Sequence, residues 1–196
     1  MKIILASKSP RRKEILSNLG FDFEIHTADT DESCEVADPE SLVQILAVRK
    51  GSEVLKQFPD NDTLIISCDT IVCCDDKVLG KPKTYDDAVG MLKSLSGRKH
   101  TVMSGLALFL NGKTISGCEK TDVYFATIPD FFIEAYVSTG DSMDKAGGYA
   151  VQGMTALYIE KLDGCYFNVV GLPVRLLTKL LEQLGLNPTE LVMNTK

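Results

Sequence analysis

Two β-rich stretches on either side of one dipeptide set the strongest limit on how this chain can fold. His100 to Leu110 and Lys113 to Phe125 are separated only by Asn111-Gly112. Asn-Gly accepts the positive φ angles of a two-residue turn, so the segment reads as a long β-hairpin. A hairpin is antiparallel, whereas a strand followed by a helix and a second strand gives a parallel pair. The chain carries both patterns. Lys2 to Ala6 reads as a short buried strand, and a helix follows in which Ser9 offers the N-cap, Pro10 the first position and Gly20 the stop. Ile15, Leu16 and Leu19 give that helix an apolar stripe at helical spacing.

Further helices are expected from Asp38-Pro39 past Leu42, Ile45, Leu46, Arg49 and Lys50, from Asp86 to Leu95, from Pro129 to Val137, and from Pro173 to Leu184 before Gly185. Leu64 to Val72 reads as a strand broken by a single acid, Asp69. Ala156 to Lys161 and Cys165 to Val170 read as a second hairpin around Asp163-Gly164. Hairpins among helices predict an α/β chain with a mixed sheet. With no repeat and no convincing linker, residues 1–196 are expected to form one domain.

Composition narrows the function. The formal charge of −6 and the absence of a basic stripe argue against a nucleic-acid partner. Six cysteines without a C-x-x-C pair, beside only two histidines, exclude the usual structural zinc spacings. No run approaches the roughly 18 apolar residues of a membrane span, and the opening apolar run is too short for a signal peptide. A cytoplasmic protein with reduced thiols is the expectation. His26 and His100 are read as structural residues, and the cysteines as small core residues.

Four segments carry chemistry. Ala6-Ser7-Lys8-Ser9-Pro10-Arg11-Arg12 sits where a strand enters a helix. The N–H groups and dipole of a helix start attract anions, Ser7 and Ser9 add hydroxyls, and Arg11 and Arg12 add planar forks suited to phosphate. Asp69 lies inside an apolar run, where a carboxylate is costly without a cation or donors. Lys81, held between Gly80 and Pro82, could aim an ammonium at a phosphate, although no P-loop occurs in the chain. In Asp144 to Gly153, three glycines surround Lys145 and Gln152 and allow close approach to a flat ligand; Gln152 offers both donor and acceptor to a base edge. Each segment also has a plain structural reading, from solvated arginines to a bulged strand entry.

Together the segments resemble the Maf family, the septum-formation-inhibitor-like nucleotide pyrophosphatases. The resemblance also rests on Ser67 to Val72, Ser96 to Val102 and Asn168-Val169-Val170-Gly171-Leu172-Pro173, in the family's order. Met103-Ser104-Gly105 departs from the family pattern, which touches the shape of the site rather than its chemistry. The resemblance implies an elongated mixed sheet flanked by helices, two lobes around a deep cleft, and a fold similar to inosine triphosphate pyrophosphatases. It implies cleavage between the α and β phosphates of a nucleoside triphosphate with Mg²⁺ or Mn²⁺, limiting incorporation of wrong nucleotides, and a link to cell-division arrest.

Carried over by position, Asp69 is implied as general base or metal ligand, and Glu32 as the acid sharing the metal. Arg12, Lys50 and Lys81 would neutralise the triphosphate, with Ser7 and Lys145 among the substrate contacts. Arg11, Thr70 and Gln152 would address the base, and the doubled arginine after Pro10 resembles the branch acting on dTTP and UTP. The expected partners are the nucleotide and, in a homodimer, a second copy of the chain. The rival from another class is a regulator of septum formation that binds nucleotide and a protein partner without turnover.

Overall fold

The computed structural model describes residues 1–31, 33, 34, 36, 38–58, 62–75 and 77–193. In chain order they form β1 (Lys2–Leu5), α1 (Pro10–Asn18), β2 (Glu24–Ile25), α2 (Pro39–Leu55), β3 (Thr63–Cys74), β4 (Lys77–Leu79), α3 (Tyr85–Leu95), β5 (Lys99–Leu110), β6 (Lys113–Phe125), α4 (Asp130–Ser138), β7 (Ile159–Asp163), α5 (Tyr166–Val170), α6 (Val174–Gln183) and α7 (Pro188–Met193). One seven-stranded sheet runs in the order β2-β1-β3-β5-β6-β7, with β4 paired to β3. β1 is parallel to β2 and β3, while β4 and β7 are antiparallel to β3 and β6. The sheet is mixed, as the sequence patterns imply. Asn111 and Gly112 take φ of 52° and 71°, the left-handed pair that closes the long hairpin.

The chain divides into two compact units. Residues 1–69, 104–119 and 171–196 make the first; residues 70–103 and 120–170 make the second. Strands β3, β5 and β6 each give one end to each unit.

In the first unit, Ala47 and Val54 of α2 pack with Ile4, Ala6, Ile65, Ala107 and Phe109. Asp38 caps α2 by accepting from the Ser41 N–H at 2.9 Å, and Pro39 takes its first position. Glycine lets α2 approach β5 closely. A Cβ at Gly105 would lie 2.1 Å from the Val43 carbonyl oxygen, and one at Gly51 would lie 2.1 Å from the Phe109 ring. This approach fixes the height of Lys50, which precedes Gly51. Ser9 occupies the N-cap of α1, but its side chain makes no capping bond; its N–H instead donates to Ser7 Oγ at 3.2 Å.

In the second unit, Thr84 and Asp87 form a reciprocal capping box that starts α3. Ala88, Leu92 and Leu95 of α3 share a core with Phe132, Ile133 and Tyr136 of α4.

The second predicted hairpin does not form. Residues 154–158 make a short 3₁₀ turn, Ile159–Asp163 pairs with β6, and Tyr166–Val170 is helical. A run as short as Tyr166–Val170 does not distinguish strand from helix by periodicity alone. What decides it is Asn168, buried in the helix, whose amide donates to the Val102 carbonyl at 3.1 Å and to Thr121 Oγ1 at 3.0 Å. Among the described residues no helix is long and apolar enough to cross a membrane.

Candidate active site

β3 carries Asp69 at its middle, between buried Cys68 and half-buried Thr70. Its side chain is only 11% exposed, so an isolated carboxylate there would be costly. The cost is met by Lys50, whose Nζ lies 2.5 Å from Oδ1 and whose side chain is 22% exposed. Helix α2 supplies the cation and strand β3 the acid, both within the first unit. The pair is partly open to water and therefore to a ligand.

A second cation stands beside it in the chain's hydrogen-bond network. Arg12, in the first turn of α1, donates through Nη1 to Ser7 Oγ at 3.0 Å and to the Cys68 carbonyl at 2.6 Å. Its Nε donates to the Gly171 carbonyl at 2.8 Å. The strand-to-helix turn, the residue before Asp69 and the segment before α6 are thus tied to one guanidinium. The first turn of α1 contains no acid and has no side-chain cap, so its dipole end is electrostatically suited to an anion. Arg11 follows Pro10 in the same turn.

Thr70, Lys81, Lys145 and Gln152 belong to the second unit. Thr70 follows Asp69 on β3 and is half-buried. Lys81 is exposed, and its loop is held by the Gly147 N–H donating to the Gly80 carbonyl at 3.0 Å. Gly147 and Gly148 both take positive φ, and a Cβ at Gly147 would meet Val72 Cγ2 at 3.0 Å. Lys145 points back on its own loop, bonding the Asp141 carbonyl and Asp144 Oδ1. Gln152 is exposed on a turn. Glu32 lies outside the described residues.

Sequence reading missed Arg49, which donates to the carbonyls of Asp31 and Ser33 at 2.8 and 2.7 Å and so ties those two residues to α2. It also missed the carbonyl of Gly171 as a partner of Arg12. The only signal for either was motif membership or adjacency, since neither contact is local. His100 is structural: it is buried, its Nε2 lies 2.7 Å from the Tyr149 hydroxyl, and burial pushes its pKa down to about 4. None of the six cysteines is in a disulfide; Cys68, Cys73 and Cys74 are buried, whereas Cys34, Cys118 and Cys165 are only partly so.

The Maf-like protein family model matches residues 2–184. The chain belongs to the Maf-like family. Similar proteins that carry the name dTTP/UTP pyrophosphatase include the following two. That from Thermoanaerobacter sp. (strain X514) is 46% identical over 93% of this chain and 96% of its own. That from Clostridium botulinum (strain Hall / ATCC 3502 / NCTC 13319 / Type A) is 45% identical over 94% and 98%. Among solved structures, the Staphylococcus aureus Ham1 protein aligns with a TM-score of 0.47 and 12% identity, covering 64% of this Maf-like chain and 72% of its own.

A divalent ion is implied by the resemblance to this family. Among the described residues no group of three His, Cys, Asp or Glu side chains stands ready to hold one. Mg²⁺ needs no such cage: it keeps several waters and is held by one or two carboxylates together with substrate phosphates. A single partly open carboxylate at Asp69 fits an ion of that kind, shared with a triphosphate.

Proposed function

We propose that the chain hydrolyses dTTP and UTP to the nucleoside monophosphate and pyrophosphate. The observation that carries this reading is the Lys50–Asp69 pair, a carboxylate and an ammonium in contact at a partly open position. Similarity over 93% and 94% of this chain to relatives named for dTTP and UTP supports the choice of substrate.

Asp69 accepts a proton from water as its oxygen attacks the α-phosphorus, and the bond to the bridging oxygen breaks with pyrophosphate as leaving group. Lys50 supplies positive charge beside that carboxylate, and Arg11 and the start of α1 favour the negative charge that develops on the phosphates. Asp69 and Glu32 are the acids that would hold a Mg²⁺ or Mn²⁺ ion brought with the nucleotide. When bound, such an ion offsets charge on the phosphate oxygens. Lys81 and Lys145 are assigned to the phosphates, and Thr70 and Gln152 to the base. Lys145 must first leave Asp144, because a cation already bonded to a carboxylate has less to offer a phosphate. The activity is placed in the cytoplasm, with residues 1–196 acting as one domain; effects on cell division would follow from the nucleotide pool.

The test is a panel of ordinary and modified nucleoside triphosphates with Mg²⁺ or Mn²⁺, scored for pyrophosphate against orthophosphate. Preferential pyrophosphate release from dTTP and UTP is the expected result. Binding without turnover across the panel would overturn it.

A further inference from the structure

The carbonyl of Gly171 lies at a junction that the proposed chemistry does not by itself require. It accepts from Arg12 Nε at 2.8 Å and from the Cys68 thiol at 3.3 Å, 159 and 103 residues away along the chain. Arg12 also donates to the Cys68 carbonyl, and Cys68 immediately precedes Asp69. A guanidinium is planar and rigid, so donors at Nε and Nη1 fix the angle between the groups they hold, which an ammonium does not do. Gly171 has φ of 122°, a backbone conformation that L side chains rarely adopt. The peptide whose oxygen meets Arg12 and Cys68 is therefore presented in a way that glycine permits.

We infer that Gly171 and Arg12 are positioning residues for the reaction, setting where β3 presents Asp69 by holding Cys68 between them, Arg12 at its carbonyl and Gly171 at its thiol. This rests on the proposed pyrophosphatase reading for its kinetic consequence, but not for its structural one. Arg12 then acts through Cys68 and Asp69 rather than chiefly through phosphate contact. Displacing a reacting group by about 1 Å costs on the order of 10²-fold in rate while leaving substrate binding little changed. A phosphate ligand behaves differently, because its loss weakens binding of both substrate and pyrophosphate.

The experiment compares the wild-type protein with Arg12→Lys and Gly171→Ala on dTTP. It measures kcat, KM, inhibition by pyrophosphate, and amide hydrogen exchange across residues 63–74. Arg12→Lys keeps the charge and loses the fork. The expected result is a kcat lower by roughly 10- to 100-fold, with KM and the pyrophosphate inhibition constant within about twofold. Exchange should rise at least severalfold around residues 67–70 while the start of β3 stays protected. A tenfold rise in KM or in the inhibition constant at unchanged kcat would overturn the inference and make Arg12 a phosphate ligand. Unchanged exchange in Arg12→Lys would also overturn it. If Gly171→Ala fails to fold, Arg12→Lys decides alone. If the wild-type protein releases no pyrophosphate, the proposed function fails while the exchange readout still decides the positioning role.

Discussion

The ammonium of Lys50 on α2 lies 2.5 Å from Oδ1 of Asp69 on β3. Side chains 22% and 11% exposed are too shielded for a solvated surface pair and too open for a sealed core pair. On the proposed mechanism, stability and turnover draw on the same two groups.

Asp69→Asn keeps the shape and an acceptor for Lys50 but removes the base. Pyrophosphate release should fall by roughly 10²–10⁴-fold, with the melting transition retained. Retained turnover would remove Asp69 from the mechanism.

Lys50→Met leaves the Asp69 carboxylate without its cation. A loss of about 1–3 kcal/mol is expected in urea unfolding, below the value for a fully buried pair because water reaches both side chains. The same substitution made in the Asp69→Asn background should cost clearly less. Equal costs in the two backgrounds would mean that the pair is not coupled.

Helix α2 reaches β5 only because Gly51 and Gly105 carry no side chain. Gly105→Ala would press a methyl group against the Val43 carbonyl, which is backbone and yields little, so a loss of about 3 kcal/mol is expected. Gly51→Ala would instead meet the Phe109 ring, and a smaller residue at 109 should restore part of its loss. Unaltered melting of Gly105→Ala would contradict the packing.

His100 gives a pH dependence with a definite sign. Its folded pKa of about 4 lies below the ordinary 6.5 because burial disfavours the charged form, with Asp122 acting weakly the other way. Between those values the unfolded chain binds the proton and the folded chain does not. Stability is thus complete above about pH 6.5 and declines as pH falls to about 4, by about 3 kcal/mol in total. A His100→Gln variant should lose this part of the slope. A wild-type protein equally stable at pH 7 and pH 4.5 would refute it.

The sequence made legible those elements whose limits are set by local chemistry. Asn111-Gly112 announces its hairpin and Asp38-Pro39 its helix start, because turn and cap residues act on their immediate neighbours. Residues 166–170 are helical rather than extended, and the side chain that settles them, Asn168, finds its partners far along the chain at Val102 and Thr121. β2, β4 and α7 are too short to show a period. At the site, Asp69 stood out as an acid in an apolar run. Its partner Lys50 came only with the family resemblance, since helix α2 offers two adjacent cations, Arg49 and Lys50. The Arg12–Gly171 contact spans 159 residues and had no signal in composition or spacing.

The central claim, attack of water on the α-phosphorus beside Asp69, is tested most directly by turnover of dTTP in ¹⁸O-labelled water with mass analysis of both products. The account predicts one labelled oxygen in the monophosphate, none in pyrophosphate, and loss of labelling in Asp69→Asn. Label found in pyrophosphate, or in released orthophosphate, would contradict it.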